Sequence, residues 1–287
     1  MNRIKILIGA FIFLAGLSRA DTALAEPLQR YISLAPSTTE ILFALGLNQE
    51  IVGVSSYCDY PEQAASKERV GDFSSPNIEK IISLRPDYIF CTGLEQAPVI
   101  EQLKKLKLKV YVSHPRTIQE LFSSINEIGI IVNKEYAAQL LIREMAEKLH
   151  ILEERSLMLT KNKKPKVFIE IWHNPISTAG QNSFVGQLIE LAGGENIASD
   201  TQRDYSIFSA EEVIRRDPDV IIIAYMGQNI TGMALKKRFG WKDINAVKNN
   251  HVYNDIDPNI LLRPSPRSIE GIEQIQEKLF LSYETAS

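Results

Sequence analysis

The chain has 287 residues and a formal net charge of −3, with 45% hydrophobic and 23% charged residues. This mildly acidic balance argues against a nucleic-acid-binding protein, because phosphate binding requires a basic surface. The length suits one large domain or two smaller ones.

The first 25 residues have the layout of a secretory signal peptide. Arg3 and Lys5 precede an apolar run from Ile6 to Leu17. Ala23-Leu24-Ala25 then provides the small residues of a cleavage site before Glu26. An apolar run of roughly 12 residues is too short to cross a bilayer, and no cysteine follows it for lipid attachment. We therefore expect a soluble protein exported to the periplasm, with no transmembrane helix.

After this leader, short apolar strands alternate with helices. The first helix is predicted to begin at Ser37-Thr38-Thr39-Glu40, which matches a capping box, and to end at Gly46. Later strands are expected at Tyr88–Phe90 and Val110–Val112. Such alternation is typical of a mostly parallel sheet with helices on its faces. Residues 26–132 are thus predicted to form an N-terminal α/β lobe.

A long uninterrupted segment follows this lobe. Residues 133–159 contain neither proline nor glycine, and their apolar residues recur at steps of three and four among charged ones. This pattern predicts one amphipathic helix of about 25 residues, roughly 38 Å long. We expect residues 133–162 to be a rigid connecting helix and residues 163–287 to form a second α/β lobe.

Two stretches about 130 residues apart repeat one pattern. In each copy an aromatic residue precedes a glutamate by six positions, and a Pro-Asp pair opens an apolar strand seven positions later. These residues are Phe73, Glu79 and Pro86-Asp87 in the first copy, and Tyr205, Glu211 and Pro218-Asp219 in the second. Two copies of one unit predict two similar lobes with a cleft between them.

Signatures of catalysis and of metal binding are missing from the sequence. There is no Gly-x-Ser-x-Gly elbow, Walker loop, dinucleotide fingerprint or His-Glu-x-x-His motif. The four histidines, His114, His150, His173 and His251, do not pair at metal-ligand spacing, although His114 and His173 could face the cleft. We predict a protein that is not an enzyme and has no metal or other cofactor.

Aromatic residues instead gather where the predicted strands end. Loops at the carboxyl ends of parallel strands meet ligands, and flat side chains there suit a large polycyclic molecule. The alternative is that several of these rings pack the lobes. The residues are Tyr57, Tyr60, Phe73, Trp172, Tyr205 and Tyr225.

Cys58 and Cys91 are the only cysteines in the chain. In an oxidising compartment such a pair can form a disulfide. A metal pair and two free buried thiols are the competing interpretations, because spacing alone does not establish distance.

Three segments carry a resemblance to a known family. Residues 53–61 (GVSSYCDYP), 77–79 (NIE) and 193–196 (GGEN) resemble the periplasmic cobalamin-binding proteins of the BtuF type. Those belong to a group of substrate-binding proteins with a helical backbone, which also carry haem and iron-siderophores. The resemblance implies a monomer that captures cobalamin or a related corrinoid between its lobes. It further implies delivery of that ligand to the permease of an inner-membrane ABC importer.

The resemblance also assigns roles to residues of this chain. Glu79 and Glu211 would dock onto the permease, although Glu212 beside Glu211 leaves the second choice open. Thr92 stands where the family has a tryptophan. In the alternative of a haem carrier, Tyr57, Tyr60 or His173 would supply an axial ligand, and a siderophore carrier would need several basic residues. The expected ligand-binding residues are Tyr57, Tyr60, Phe73, Thr92, Trp172, His173, Tyr205, Asp257 and Arg263.

Overall fold

The computed structural model describes residues 28–159, 163–226, 235 and 237–284. The predicted signal peptide therefore lies outside the described residues. Within these ranges, no helix combines the length and the apolar character needed to cross a membrane.

The first lobe is built on a four-stranded sheet whose neighbouring strands all run parallel, in the order β2-β1-β3-β4. Three-residue and five-residue turns of 3-10 helix lie at Leu94–Gln96 and Glu62–Ser66. The strands are β1 (Tyr31–Ser33), β2 (Ile51–Val54), β3 (Tyr88–Thr92) and β4 (Val110–Ser113). The helices are α1 (Pro36–Ala44), α2 (Ile78–Ser83), α3 (Ala97–Lys105) and α4 (Ile118–Ile131).

The starts of two helices in this lobe differ from the sequence prediction. The capping box at Ser37–Glu40 is wrong, because α1 begins at Pro36 after an extended Ala35 and has no side-chain cap. The whole of α4 was not predicted, although the Thr117 side chain caps it by accepting from the Glu120 amide. Gly46 does follow α1 with a φ of 80°, the left-handed conformation that favours glycine.

The second lobe has the same kind of parallel sheet, in the order β11-β10-β5-β8. It also carries a separate antiparallel sheet, β6-β7-β9, which the sequence did not predict. The parallel strands are β5 (Lys166–Glu170), β8 (Glu195–Asn196), β10 (Val220–Ile223) and β11 (Val252–Tyr253). The antiparallel strands are β6 (Trp172–His173), β7 (Ile176–Ala179) and β9 (Tyr205–Ile207). The helices are α6 (Phe184–Leu191), α7 (Ala210–Arg216), α8 (Asn245–Lys248), α9 (Pro258–Leu262) and α10 (Ser268–Glu284), with a 3-10 turn at Trp241–Asp243.

One helix of 25 residues, α5 (Glu135–Leu159), connects the lobes. Its buried residues, among them Met145, Leu149 and Leu152, belong to one hydrophobic cluster that also contains Phe90 of the first sheet and Ile222 of the second. The lobes are therefore joined by a shared core as well as by the helix. The prediction of two α/β lobes with mostly parallel sheets and one long connecting helix is confirmed.

The two cysteines are free, buried thiols. Cys58 lies in the core shared by the lobes, whereas Cys91 lies in the cluster on the other face of the first sheet. Successive residues of a strand face opposite sides, so Phe90 reaches the shared core and Cys91 turns away from it. Of the three interpretations of the cysteine pair, the disulfide is therefore wrong, and the structure shows two free buried thiols. Burial raises the pKa of both thiols, that of Cys91 to about 12.

Candidate functional site

A cleft of about 490 Å³ lies between the two lobes. Its first wall comes from the loops that follow all four strands of the first sheet. Ser37 follows β1, Tyr57 follows β2, Thr92 ends β3 and His114 follows β4. Parallel strands end at the same edge of their sheet, which is why residues far apart in sequence meet here.

The second wall comes from four different segments of the second lobe. Phe184 begins α6, Tyr205 begins β9, and Met226 follows β10. Arg263, directly after α9, completes this wall. The cleft is thus faced by aromatic and apolar side chains from both lobes, with a small number of charged groups at its margin.

Five of the nine expected ligand-binding residues line this cleft: Tyr57, Phe73, Thr92, Tyr205 and Arg263. Tyr57 is 58% exposed and Tyr205 is 49% exposed, so neither ring is core. Desolvation inside the cleft raises the pKa of the Tyr205 hydroxyl, and the nearby carboxylates of Glu95 and Asp204 raise it further. Both tyrosine rings are available to stack on a bound molecule.

The other expected residues lie outside the cleft lining. The Tyr60 ring packs against Arg267, and the Asp257 carboxylate caps α9 by accepting from the Asn259 amide at 2.9 Å. Trp172 and His173 form β6, with their ring centroids 5.2 Å apart. Tyr225, named among the aromatic loop residues, is buried and donates its hydroxyl to Glu170.

Sequence reasoning missed many of the residues that line the cleft, among them Glu95, Arg116, Phe184, Asp204 and Met226. Arg116 and Met226 were detectable in principle, because each lies three residues after the end of a parallel strand, β4 and β10. Phe184 and Asp204 had no such signal, since their position depends on how α6 and β9 pack against the first lobe.

Both arginines that line the cleft form ion pairs with aspartates of the opposite lobe. Arg116 of the first lobe pairs with Asp204 of the second at 3.1 Å. Arg263 of the second lobe pairs with Asp59 of the first, with Nη2 3.3 Å from Oδ2. Burial tends to raise the pKa of Asp59, but the hydrogen bond and charge of Arg263 hold that pKa below its usual value. Within the described residues, no group of three histidine, cysteine or carboxylate side chains could hold a metal ion.

The side chains of Gln96, which is buried, and Arg69, which is partly buried, hold the first-lobe loops in place. The Gln96 side chain donates to the carbonyls of Leu34 (3.0 Å) and Phe73 (2.8 Å) and accepts from the Thr92 amide (2.8 Å). The Arg69 guanidinium donates to two carbonyls on either side of Tyr57, each at 2.8 Å. These side chains fix the cleft wall before a ligand binds.

A buried ion pair joins the lobes beside the cleft. Glu40 of α1 is only 3% exposed, and Arg267 of the second lobe bonds both of its oxygens at 2.9 and 2.7 Å. Removing one partner of a buried pair costs about 3–5 kcal/mol, whereas an exposed pair contributes about 0–1 kcal/mol. The buried Glu40–Arg267 pair therefore holds the lobes more firmly than the exposed Arg116–Asp204 pair.

The two repeated glutamates occupy equivalent positions on the lobes. Glu79 and Glu211 are both exposed in the first turn of a helix, α2 and α7, and in the described part of the chain neither forms an ion pair. Glu212 differs, because Arg215 and Arg216 bind its carboxylate and lower its pKa to about 2. Glu211, not Glu212, therefore presents an unpaired carboxylate that matches Glu79.

Comparison with known proteins places the chain in a family. Residues 32–258 match the family model described as periplasmic binding protein. An uncharacterized ABC transporter substrate-binding lipoprotein, YvrC of Bacillus subtilis, is 33% identical over 92% of this chain and 83% of its own. A vitamin B12-binding protein of Vibrio parahaemolyticus is 29% identical over 96% of both chains.

Solved structures show the same two-lobed fold. The periplasmic vitamin B12-binding protein BtuF of Vibrio cholerae has a TM-score of 0.76 and 30% identity, and the match covers 90% of this chain and 98% of that one. A possible iron-binding protein from Staphylococcus epidermidis gives 0.76 and 31%, over 88% and 98%. The haem-binding protein BhuT, at 0.80 and 22% over 88% and 98%, shares the fold. The chain belongs to the periplasmic binding protein family, whose members bind substrates for ABC transporters and are not enzymes.

Proposed function

We propose that this protein captures a corrinoid, cobalamin or a close relative, in the inter-lobe cleft and delivers it to an ABC importer. The observation that supports this most directly is the pair of exposed tyrosines, Tyr57 and Tyr205, facing one cleft from opposite lobes. Flat side chains on both walls suit a broad polycyclic ligand. Two of the similar proteins above bind vitamin B12.

The charge balance of the cleft favours the same ligand class. Both arginines that line it, Arg116 and Arg263, are already paired with aspartates, and Glu95 adds a negative charge. An anionic ferric siderophore would need free basic groups to replace its lost solvation. A corrinoid presents mostly neutral amides, which the paired arginines and main-chain groups can meet without disturbing either ion pair.

Delivery would use the two exposed glutamates. We assign Glu79 and Glu211 to docking on basic pockets of the permease, because two like charges set apart on one rigid body can recognise two matching sites. The predicted signal peptide would place the protein in the periplasm as a soluble monomer, with the permease as its only membrane contact. Since the lobes share a core, we expect little closure on binding, and scattering profiles of the free and loaded protein should nearly superpose.

Haem is the second candidate, and one observation favours it. The Tyr57 hydroxyl and the His114 ring both belong to the cleft lining, and either side chain can serve as an axial iron ligand. Tyr60 and His173, the other axial candidates, lie outside that lining. Haem propionates would also require basic partners, which are paired in this cleft.

The experiment is a titration of purified protein, residues 26–287, with cyanocobalamin, hemin and a ferric siderophore, monitored by intrinsic fluorescence. The proposal expects saturable binding of cyanocobalamin, tighter than of the other two. Tighter binding of hemin, with a Soret shift that Tyr57→Phe abolishes, would favour the haem alternative. No binding of cyanocobalamin at micromolar protein would reject the proposal.

A further inference from the structure

Two expected ligand residues that lie outside the cleft instead contact one arginine. The Arg267 guanidinium carbon lies 3.8 Å from the centroid of the Tyr60 ring. The Asp257 carboxylate lies 3.6 Å from Nη1 of the same arginine. Tyr60 and Asp257 therefore hold the Arg267 side chain in position and act through it.

Arg267 compensates a buried charge in the other lobe. Its partner Glu40 is almost fully buried in α1, and in the described structure the basic groups that reach it are Arg267 and, at 3.8 Å, Arg263. Both arginines come from the segment between α9 and α10 of the second lobe. Separating the lobes here would leave a buried carboxylate without its counter-charge, which is strongly unfavourable.

The same group of side chains extends into the cleft wall. Arg263 bonds the Asp59 carboxylate and approaches the Tyr57 carbonyl at 3.5 Å. Tyr57 of the first wall and Arg263 of the second wall are thereby held next to each other. We call Glu40, Asp59, Arg263 and Arg267 the clamp.

The contacts across the Arg116 side of the cleft are weaker. Arg116 and Asp204 form an ion pair between side chains that are 50% and 30% exposed. Nearby, the Gln187 side chain accepts a neutral hydrogen bond from the Ile118 amide at 2.6 Å. Neither contact would leave a buried charge behind if the lobes separated there.

We propose that Glu40 and Asp59 are positioning residues, which act through the clamp to align Tyr57 with Arg263 before ligand arrives. The small movements that the shared core permits then occur at the Arg116–Asp204 side, while the clamp stays closed. The movement of the lobes needs no ligand, whereas the effect of the clamp on affinity rests on the proposed corrinoid-binding function.

The first test uses protein without ligand. Amide hydrogen exchange would be followed in residues 55–60, where the amides of Ser55, Ser56 and Cys58 are hydrogen-bonded. Asp59→Asn and Glu40→Gln should each speed exchange in this loop by about tenfold, since each replaces the carboxylate of an ion pair with a neutral amide. Gln187→Ala, which removes an inter-lobe bond on the other side, should leave the loop unchanged. Equal exchange in all three variants would overturn the proposal.

The second test measures binding kinetics with cyanocobalamin by stopped-flow fluorescence. Asp59→Asn should raise Kd about tenfold, mainly through faster dissociation, because Tyr57 and Arg263 are no longer held in alignment. Gln187→Ala should change association and dissociation by the same factor, up to about fivefold, and leave Kd unaltered. A raised Kd in Gln187→Ala with none in Asp59→Asn would contradict the clamp.

Two controls keep the outcomes separate. Because Glu40 is buried, Glu40→Gln is used only if its thermal unfolding shows a folded protein; Asp59, whose side chain is 58% exposed, carries the test otherwise. If the unaltered protein fails to bind cyanocobalamin, the proposed function fails, and the hydrogen-exchange result still decides whether the clamp exists.

Discussion

The two lobes carry the same repeated unit, yet they support its aromatic residue differently. Phe73 lies in a loop whose carbonyl is held by the buried Gln96 side chain. Tyr205 lies in β9, where pairing with β7 holds it opposite Ala179. Both side chains nevertheless reach one cleft, and each is followed six residues later by an exposed glutamate. The repeat therefore specifies that each lobe places an aromatic ring at the cleft and an exposed carboxylate on a helix. The secondary structure that holds the ring differs between the lobes.

The largest expected effect tests whether the lobes are equivalent in docking. Glu79→Ala combined with Glu211→Ala should reduce uptake of labelled cyanocobalamin by about 100-fold, because both charged contacts with the permease are lost. The Kd for the ligand should not change. Each single variant should show a similar partial loss if the lobes contribute equally.

Glu212→Ala is the matched control for this experiment. Its carboxylate is already bound by Arg215 and Arg216, so uptake should stay within about twofold of the unaltered protein. Loss of uptake in Glu212→Ala, with normal uptake in Glu211→Ala, would reverse our choice between the two glutamates.

The next largest effect is expected from removing one buried side-chain amide in each lobe, Gln96 or Asn196. Gln96→Ala and Asn196→Ala should each lower the free energy of unfolding by about 1–3 kcal/mol, because backbone partners lose their bonds. Asn196 bonds the Ala179 carbonyl at 2.9 Å, away from the cleft lining, whereas Gln96 ties three cleft loops together. Urea unfolding measures the first quantity, and only Gln96→Ala should also raise the ligand Kd.

Removing one ring from each wall should have a smaller effect. Tyr57→Ala and Tyr205→Ala should each raise Kd about tenfold, or about 1.4 kcal/mol, through lost stacking. Both side chains are half exposed, so unfolding should shift by less than about 0.5 kcal/mol. Trp172 was an expected ligand residue, but its ring lies outside the cleft lining. Trp172→Ala should therefore leave Kd unaltered. A tenfold rise in Kd would extend the ligand site to β6.

The smallest effect concerns the first turn of α7. The Glu211 amide and the Ser209 hydroxyl hold the pKa of the Glu211 carboxyl below 4.5. A lowered folded pKa favours the folded state above the unfolded pKa, and this contribution is lost as pH falls through the folded value. Ser209→Ala should therefore move the Glu211 pKa upward in a carbon-13 NMR titration. An unchanged pKa would show that the hydroxyl plays no part.

Much of the fold was predictable because its signals are local. The repeat and the proline-free segment depend on neighbouring residues. The antiparallel sheet was not predicted, since its strands are only two to four residues long and β9 pairs with β7 residues 26 to 30 positions away. The capping box predicted at Ser37–Glu40 was wrong because a distant residue decides the role of Glu40. The local pattern fits a capping box, but the Glu40 carboxylate binds Arg267.

The candidate site was predictable where the strand ends and the repeat indicate it. Tyr57 follows β2, Thr92 ends β3, and Phe73 and Tyr205 belong to the repeat; all four line the cleft. Tyr60 and Asp257 lie in similar loops, yet their side chains turn to Arg267, and nothing in their immediate sequence indicates this. Which side of a loop faces the cleft is decided by tertiary contacts that the sequence pattern does not contain.

The hydrophobic cluster that passes from Phe90 through Met145 to Ile222 has a consequence for how the chain is made. Either half, synthesised alone, would expose the apolar side that its counterpart covers. Co-expressed fragments divided before α5 would have to find each other in order to fold at all. Despite its bilobal outline, the molecule should melt in a single cooperative transition.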